Sequence, residues 1–164
     1  MKWQNLWILV GIPCSGKSTW VKNNLEKFDN SVIISRDNIR FHLTPEDQPY
    51  FINEKKVFQM YIDNINLALR QYENIFCEAT HINWSNRRKL LEALDLKDQV
   101  RVNVLIATTP LEECLRRNAQ RSGRACVPET AIRRIHRSYT DPVEDPYDYN
   151  LIALIEDDEI KRVF

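Results

Sequence analysis

Glycine is scarce in this chain: three in 164 residues, Gly11, Gly16 and Gly123, against an average usage of about 7%. That excludes collagen-like and glycine-rich low-complexity chains and gives each glycine a positional meaning. Cysteine is sparse too. Cys14, Cys77, Cys114 and Cys126 are scattered, without metal-ligand spacing. This excludes a zinc module and a disulfide scaffold, and it reads as a reduced, cytosolic protein with Cys77 and Cys114 in the core. No apolar run is long enough to span a membrane. The short one near the N-terminus leads directly into a loop motif, which argues against a signal peptide. Charge has no excess of either sign: 23 Lys+Arg balance 23 Asp+Glu. That argues against wrapping long nucleic acid, while leaving room to grip one end. Repeats and low-complexity segments are absent. The expectation is one domain, residues 1–164, with a sizeable core.

What is present is alternation. Apolar runs at Leu6–Val10, Val32–Ile34, Ile75–Cys77, Val100–Ala107 and Asn150–Ile155 read as buried strands, with helical patterns between them. The order predicts an α/β fold: a five-stranded, mostly parallel sheet with helices on both faces. Helices are expected from Lys17 to about Phe28, over 37–43, from Phe51 to Tyr72 and from Trp84 to Leu94. Thr109-Pro110-Leu111-Glu112 predicts a capped helix start, with Thr109 as cap and Glu112 reaching back, running to about Gln120. Pro128 is expected to open a helix to about Ser138.

The first strand ends in Gly11-Ile12-Pro13-Cys14-Ser15-Gly16-Lys17-Ser18-Thr19. Gly-x-x-x-x-Gly-Lys-Ser between a strand and a helix is a phosphate-binding loop. Its backbone N–H groups face an anion at the positive end of the following helix. Gly11, Pro13, Cys14, Ser15, Gly16, Lys17, Ser18 and Thr19 are therefore candidate nucleotide-binding residues. Lys17 is expected to reach the β- and γ-phosphates of ATP, and Ser18 to offer its hydroxyl to Mg2+.

Charge is segregated along the second half. Residues 116–137 hold seven arginines and one acid, whereas residues 141–159 hold eight acids and no Lys or Arg. Two solvated faces of opposite sign would explain this. Gly123 inside the arginine run gives a sharper reading, an arginine-bearing lid over about 121–127 that closes on a triphosphate.

After the second strand stands Ser35-Arg36-Asp37-Asn38-Ile39-Arg40. In open α/β sheets ligands bind beyond the carboxyl ends of strands, so Asp37 and Arg40 fall on the same rim as the phosphate loop. One helical turn places both on one face. Phosphoryl transfer to a hydroxyl needs a carboxylate for the proton and cations for a charged acceptor.

These residues, with Thr80-His81-Ile82-Asn83, Arg87-Arg88, Arg117-Asn118-x-x-Arg121 and Val127-Pro128, resemble the kinase domain of the phage polynucleotide 5′-hydroxyl kinase family. The resemblance runs from about residue 6 to about 139. It implies the P-loop kinase fold and ATP-dependent transfer of the γ-phosphate to the 5′-hydroxyl end of RNA or DNA, with magnesium. By resemblance, Asp37 is the general base and Arg40 holds the acceptor phosphate. Arg121, with Arg117 beside it, is the lid arginine on the donor phosphates, and Thr80 contacts the acceptor. Lys17, Asp37 and Arg121 are then the catalytic set. The chain departs from the pattern at Ala79, where the phage member has an acid; here the acid is Glu78, one step back, which reverses its face on a strand. Glu78 could instead serve magnesium or its water. The lid differs by one residue before Pro128, which leaves Arg124 without a counterpart. No Asp-x-Asp-x-Thr motif of a phosphatase domain is present. Action in the cytoplasm, including a host cytoplasm for a phage-encoded protein, is expected.

Two other readings compete. A small-molecule kinase acting on a sugar, antibiotic or nucleotide-sugar hydroxyl would use the same loop, base and lid. A non-catalytic nucleotide switch would not need a carboxylate beside the γ-phosphate, so Asp37 stands against it.

Overall fold

The computed structural model describes residues 2–156 and 159–163. Asp157 and Asp158 of the acidic run lie outside them. The chain orders as β1 (Gln4–Val10), α1 (Lys17–Asn24), β2 (Ser31–Ser35), α2 (Arg36–Leu43), α3 (Glu54–Ala68), β3 (Asn74–Glu78), α4 (Trp84–Ala93), β4 (Val100–Ala107), α5 (Leu111–Ala119), α6 (Glu129–Arg137), β5 (Leu151–Glu156) and β6 (Glu159–Arg162). One sheet runs β2-β3-β1-β4-β5-β6. β1 to β5 are parallel, and β6 is antiparallel to β5. This is the α/β, P-loop kinase-like fold, with six strands instead of the expected five. β6 escaped the reading because all four residues are exposed and mostly charged, so no alternation marks it.

The inner strands β1, β3 and β4 bury both sets of side chains, as a covered parallel sheet requires. Leu6, Ile8 and Val10 of β1 point one way, into a cluster with Ile39 of α2, Val57, Tyr61 and Ile65 of α3, and Leu90 of α4. Trp7 and Leu9 point the other way, onto Trp20 and Val21 of α1. α5 and α6 pack through Cys114, Leu115 and Ile132 against Ile12 and Cys14 of the phosphate loop. The nucleotide loop therefore rests on its own small core. β1 lies between β3 and β4, the neighbours on either side coming later in sequence. Its carboxyl end is the switch point where such sheets hold ligands.

Several expected boundaries move. α1 ends at Asn24, and a short 3-10 turn, Leu25–Lys27, follows. The helix expected over 51–72 is α3, Glu54–Ala68. Phe51 turns out of it and, with Tyr50 before it, lies over the Arg40 guanidinium, at 5.3 and 5.0 Å, and Asn53 donates to Leu43 O at 3.2 Å instead of capping. Thr109 does not cap α5: Pro110 holds that position, with no side-chain cap bond. Its hydroxyl donates to Ser15 O at 2.8 Å, and Glu112 is exposed and 3.8 Å from Arg133. Pro128 precedes α6 as its cap residue and is not within the first turn.

Candidate active site

The loop from Gly11 to Ser18 wraps an anion-sized cradle. A Cβ on Gly11 would stand 2.5 Å from Ser15 Oγ and 3.1 Å from Ala107 Cβ, so no side chain fits there. Gly16 has φ +85, the left-handed region that favours glycine. Cys14 takes φ 67 without being glycine, a strained turn of the kind that gathers at functional sites. Ser15 Oγ is buried with no hydrogen-bond partner among the described residues. A buried orphan hydroxyl beside a left-handed turn is what a phosphate oxygen would satisfy.

Lys17 opens α1 and is buried. Its ammonium donates to Ile12 O at 3.3 Å and makes no salt bridge among the described residues. Burial lowers its pKa, opposed by the more distant carboxylates of Glu78 and Asp37. A buried ammonium without a contact anion is poised to take one. Ser18 Oγ donates to Glu78 at the end of β3. A hydroxyl and a carboxylate are hard oxygen donors of the type magnesium accepts, directly or through water. Glu78 thus faces the loop although it stands one position from the expected acid.

Arg117 of α5 lies across this loop. Its Nη1 donates to Cys14 O at 3.3 Å and sits 3.5 Å from where a Gly16 side chain would begin. Beyond it, an open groove of about 610 Å³ passes Thr19, Trp20, Thr108, Pro110 and Glu156. The segment expected as a lid, residues 121–127, is bounded by Asn118, whose amide pairs with both backbone groups of Val127 at 2.7 and 2.9 Å. This strand-like clasp closes the loop between α5 and Val127, and sequence reading missed it although Asn118 stood inside the quoted motif. Within the loop Gly123 adopts φ +59. Arg121 lines the main cavity and donates to Ala125 O at 3.5 Å.

The main cavity, about 440 Å³, opens from Pro13, Lys17 and Ser18 toward α2. Ser35 caps α2 by accepting from Asn38 N at 3.2 Å, which starts the helix so that Asp37 and Arg40 face the cavity together. Arg40 is buried and nearly saturated. It pairs with Asp37 and grips Glu54 of α3 with two nitrogens. Glu54 and Asp37 hold its guanidinium pKa high against burial. Arg36 also pairs with Glu54, at 3.1 Å, and together the two arginines hold the Glu54 carboxyl below its usual range against its own burial. Asp37 Oδ1 accepts from Tyr50 OH at 3.1 Å and from Arg40. Among the described residues Oδ2 accepts nothing. The free carboxylate oxygen is thus aimed by two donors while the side chain stays exposed. Phe41, Tyr50 and Phe51 form an aromatic edge beside it, with ring centroids 5.9 and 4.6 Å apart.

Thr80 lines the cavity, and its carbonyl receives Gly11 N–H at 3.0 Å, which ties the end of β3 to the phosphate loop. Its neighbour His81 (φ 43) is buried. The His81 ring bridges Leu9 O at 2.7 Å and Tyr61 OH at 3.2 Å. Burial holds its pKa at about 3. Arg87 does not line the cavity. It is fully buried and paired with Asp145, and it donates to His81 O and Thr140 O at 2.8 and 2.9 Å. Asp145, read as part of a solvated acidic face, is therefore interior. Arg88 is exposed beside Glu92 at 3.9 Å. The cation this segment contributes to the cavity is Lys89.

A family model described as "AAA domain" matches residues 6–142. No curated protein matches the chain significantly. Solved structures share its fold. A chain of a Pnkp1/Rnl/Hen1 complex is 19% identical, with TM-score 0.64, over 92% of this chain and 45% of that one. A fungal RNA kinase is 15% identical, with TM-score 0.65, over 95% and 75% of the two chains. A gluconokinase from Sinorhizobium meliloti 1021 is 15% identical, with TM-score 0.56, over 94% and 85%. This chain spans less than half the length of the chains that it matches in the two Pnkp1/Rnl/Hen1 complexes.

Proposed function

Because the chain belongs to the AAA domain family over residues 6–142 and has a P-loop kinase-like fold, we propose that it is an ATP-dependent phosphotransferase. Its acceptor in this reading is the 5′-hydroxyl end of RNA or DNA. The loop, Lys17, Arg117 and Arg121 take the phosphates of ATP, and the groove past Trp20 and Thr108 takes its nucleoside. Ser18 and Glu78 would hold magnesium, which when bound neutralises charge on the β- and γ-phosphates. Asp37 Oδ2 receives the proton of the acceptor hydroxyl as its oxygen bonds to the γ-phosphorus and the bond to the bridging oxygen of ADP breaks.

The observation that carries the acceptor class is the wall beside Asp37. Phe41, Tyr50 and Phe51 stand next to Arg36, Arg40 and Lys89 around one cavity. Aromatic faces interleaved with cations suit stacked bases joined by phosphates. The RNA kinase among the fold neighbours supports the same reading. Arg40 keeps one Nη2 proton for an acceptor phosphate. No helix among the described residues is long and apolar enough to cross a membrane.

The near-saturation of Arg40 by Asp37 and Glu54, with a gluconokinase among the neighbours, favours a second reading, a kinase of small hydroxyl compounds. Labelled ATP offered with 5′-hydroxyl oligonucleotides, nucleoside 3′-phosphates, nucleosides and polyols separates the two. Label is expected on the oligonucleotides. Arg40→Ala should weaken phosphate-bearing acceptors by roughly one to two orders of magnitude and plain nucleosides less. Label on polyols alone moves the assignment to the second reading.

A further inference from the structure

Arg124 does not point at the phosphate loop. Its lid segment, a short 3-10 turn from Gly123 to Ala125, crosses to the far end of α2. There Nη2 donates to Thr44 O at 2.6 Å and Nη1 to Phe41 O at 3.4 Å. The guanidinium lies 5.0 Å above the Phe41 ring. These carbonyls belong to the last turn of α2 and its cap, where a helix leaves acceptors unpaired and carries partial negative charge. Arg40 O is already taken by Thr44 N at 2.9 Å and Leu43 O by Asn53. Arg124 fills the adjacent gap. Phe41 touches Tyr50, and Tyr50 donates to Asp37.

We propose that Arg124 is a positioning residue that latches the lid to α2, so that lid closure over the donor and placement of Asp37 for the acceptor are one transition. The latch spans 80 residues of sequence from Thr44 and joins the two substrate sides by a route that bypasses the phosphates. A lid held shut by ATP pulls α2 with it; α2 displaced by an acceptor pulls the lid. The reason for an arginine is geometric: two divergent N–H groups reach two carbonyls while the plane covers a ring, which a lysine cannot do at once.

The role of α2 rests on the acceptor reading above, whereas the latch itself is tested without any acceptor. Hydrogen exchange is measured in the wild type and in Arg124→Ala and Arg124→Lys, with and without a non-hydrolysable ATP analogue. In the wild type the analogue is expected to protect both the lid (121–127) and the end of α2 (41–44). In Arg124→Ala, protection of the phosphate loop should persist while that of 41–44 is lost, and Arg124→Lys should regain part of it. In transfer assays Arg124→Ala should raise the acceptor KM roughly tenfold and leave ATP affinity within a few-fold. Unchanged protection of 41–44 in Arg124→Ala overturns the latch and leaves the phosphotransferase reading standing. An ATP affinity that falls while the acceptor KM holds assigns Arg124 to the donor site and also overturns it. Absence of analogue protection at the phosphate loop itself contradicts the nucleotide reading, and the latch with it.

Discussion

The two regions of this molecule proposed as its donor and acceptor sides are built by different means. The donor side is backbone: a strand end, a left-handed turn at Gly16 and an N-terminal helix turn, all within residues 11–18. Its side-chain additions, Thr109 and Arg117, reach back to loop carbonyls at Ser15 and Cys14. The acceptor side is side chains. Asp37, Arg40, Tyr50 and Glu54 come from α2, a loop and α3, and each is aimed by the others. A backbone cradle demands particular residues at particular spacings, because only they allow the conformation. A side-chain network can be assembled from many sequences. The first kind of site leaves a motif, and the second leaves only candidates.

The largest way to break the donor side is Lys17→Ala. The ammonium is buried without a contact carboxylate, so its removal leaves no anion stranded and the fold should survive. Transfer should drop by at least the ~10³–10⁵-fold that loss of a transition-state cation costs in GTPases. Single-turnover assays beside a thermal melt check this; a folded variant with unchanged transfer would remove the cradle from the chemistry.

Arg87→Ala sharpens the contrast from the other direction. This arginine stood in the acceptor motif yet it is a structural interior pair. Removing it leaves the buried Asp145 carboxylate without its counter-charge, with Tyr149 OH still donating to it at 2.8 Å, a loss of about 3–5 kcal/mol. Denaturant unfolding should show that loss. If stability holds and only acceptor binding suffers, Arg87 belongs to the site.

At neutral pH the effect with least consequence is a pH dependence of the seam between the two sides, which develops only as the medium turns acid. His81 sits there with its pKa lowered from 6.5 to about 3 by burial. Between those values the unfolded chain binds a proton that the folded chain refuses. Stability therefore falls as pH drops through 6.5, and the loss continues until about pH 3. A His81→Gln variant should lack this part of the slope in urea midpoints measured across pH; an identical slope assigns the acid sensitivity to other groups.

How much of this was legible follows the same division. Five strands, their order in sequence and the loop were readable from apolar runs and two glycines. β4 came out to the residue, Val100–Ala107. β6 was not readable, since an exposed edge strand carries no apolar pattern. Asp37 and Arg40 were visible as a pair because one helical turn links them. That Glu54 occupies Arg40 was not, because the contact joins two helices across a loop, and Phe51 read as the start of a helix although its ring, like that of Tyr50, lies over the guanidinium. Arg124 was a charge in a run; its partners are backbone carbonyls, which have no signature in sequence. Thr109 carried a true signal with the wrong partner. Its hydroxyl was expected to cap a helix and instead braces the phosphate loop.

The most direct test of the division is Asp37→Asn, read twice on one preparation: ATP affinity by equilibrium titration, and transfer to a 5′-hydroxyl oligonucleotide by single turnover. The substitution keeps the shape and the contacts of Oδ1 and removes the base. ATP affinity should stay within a few-fold of the wild type while transfer falls by roughly 10²–10⁴-fold. Retention of full transfer, or equal losses of both affinity and transfer, would contradict a donor side of backbone serving a carboxylate that belongs to the acceptor side alone.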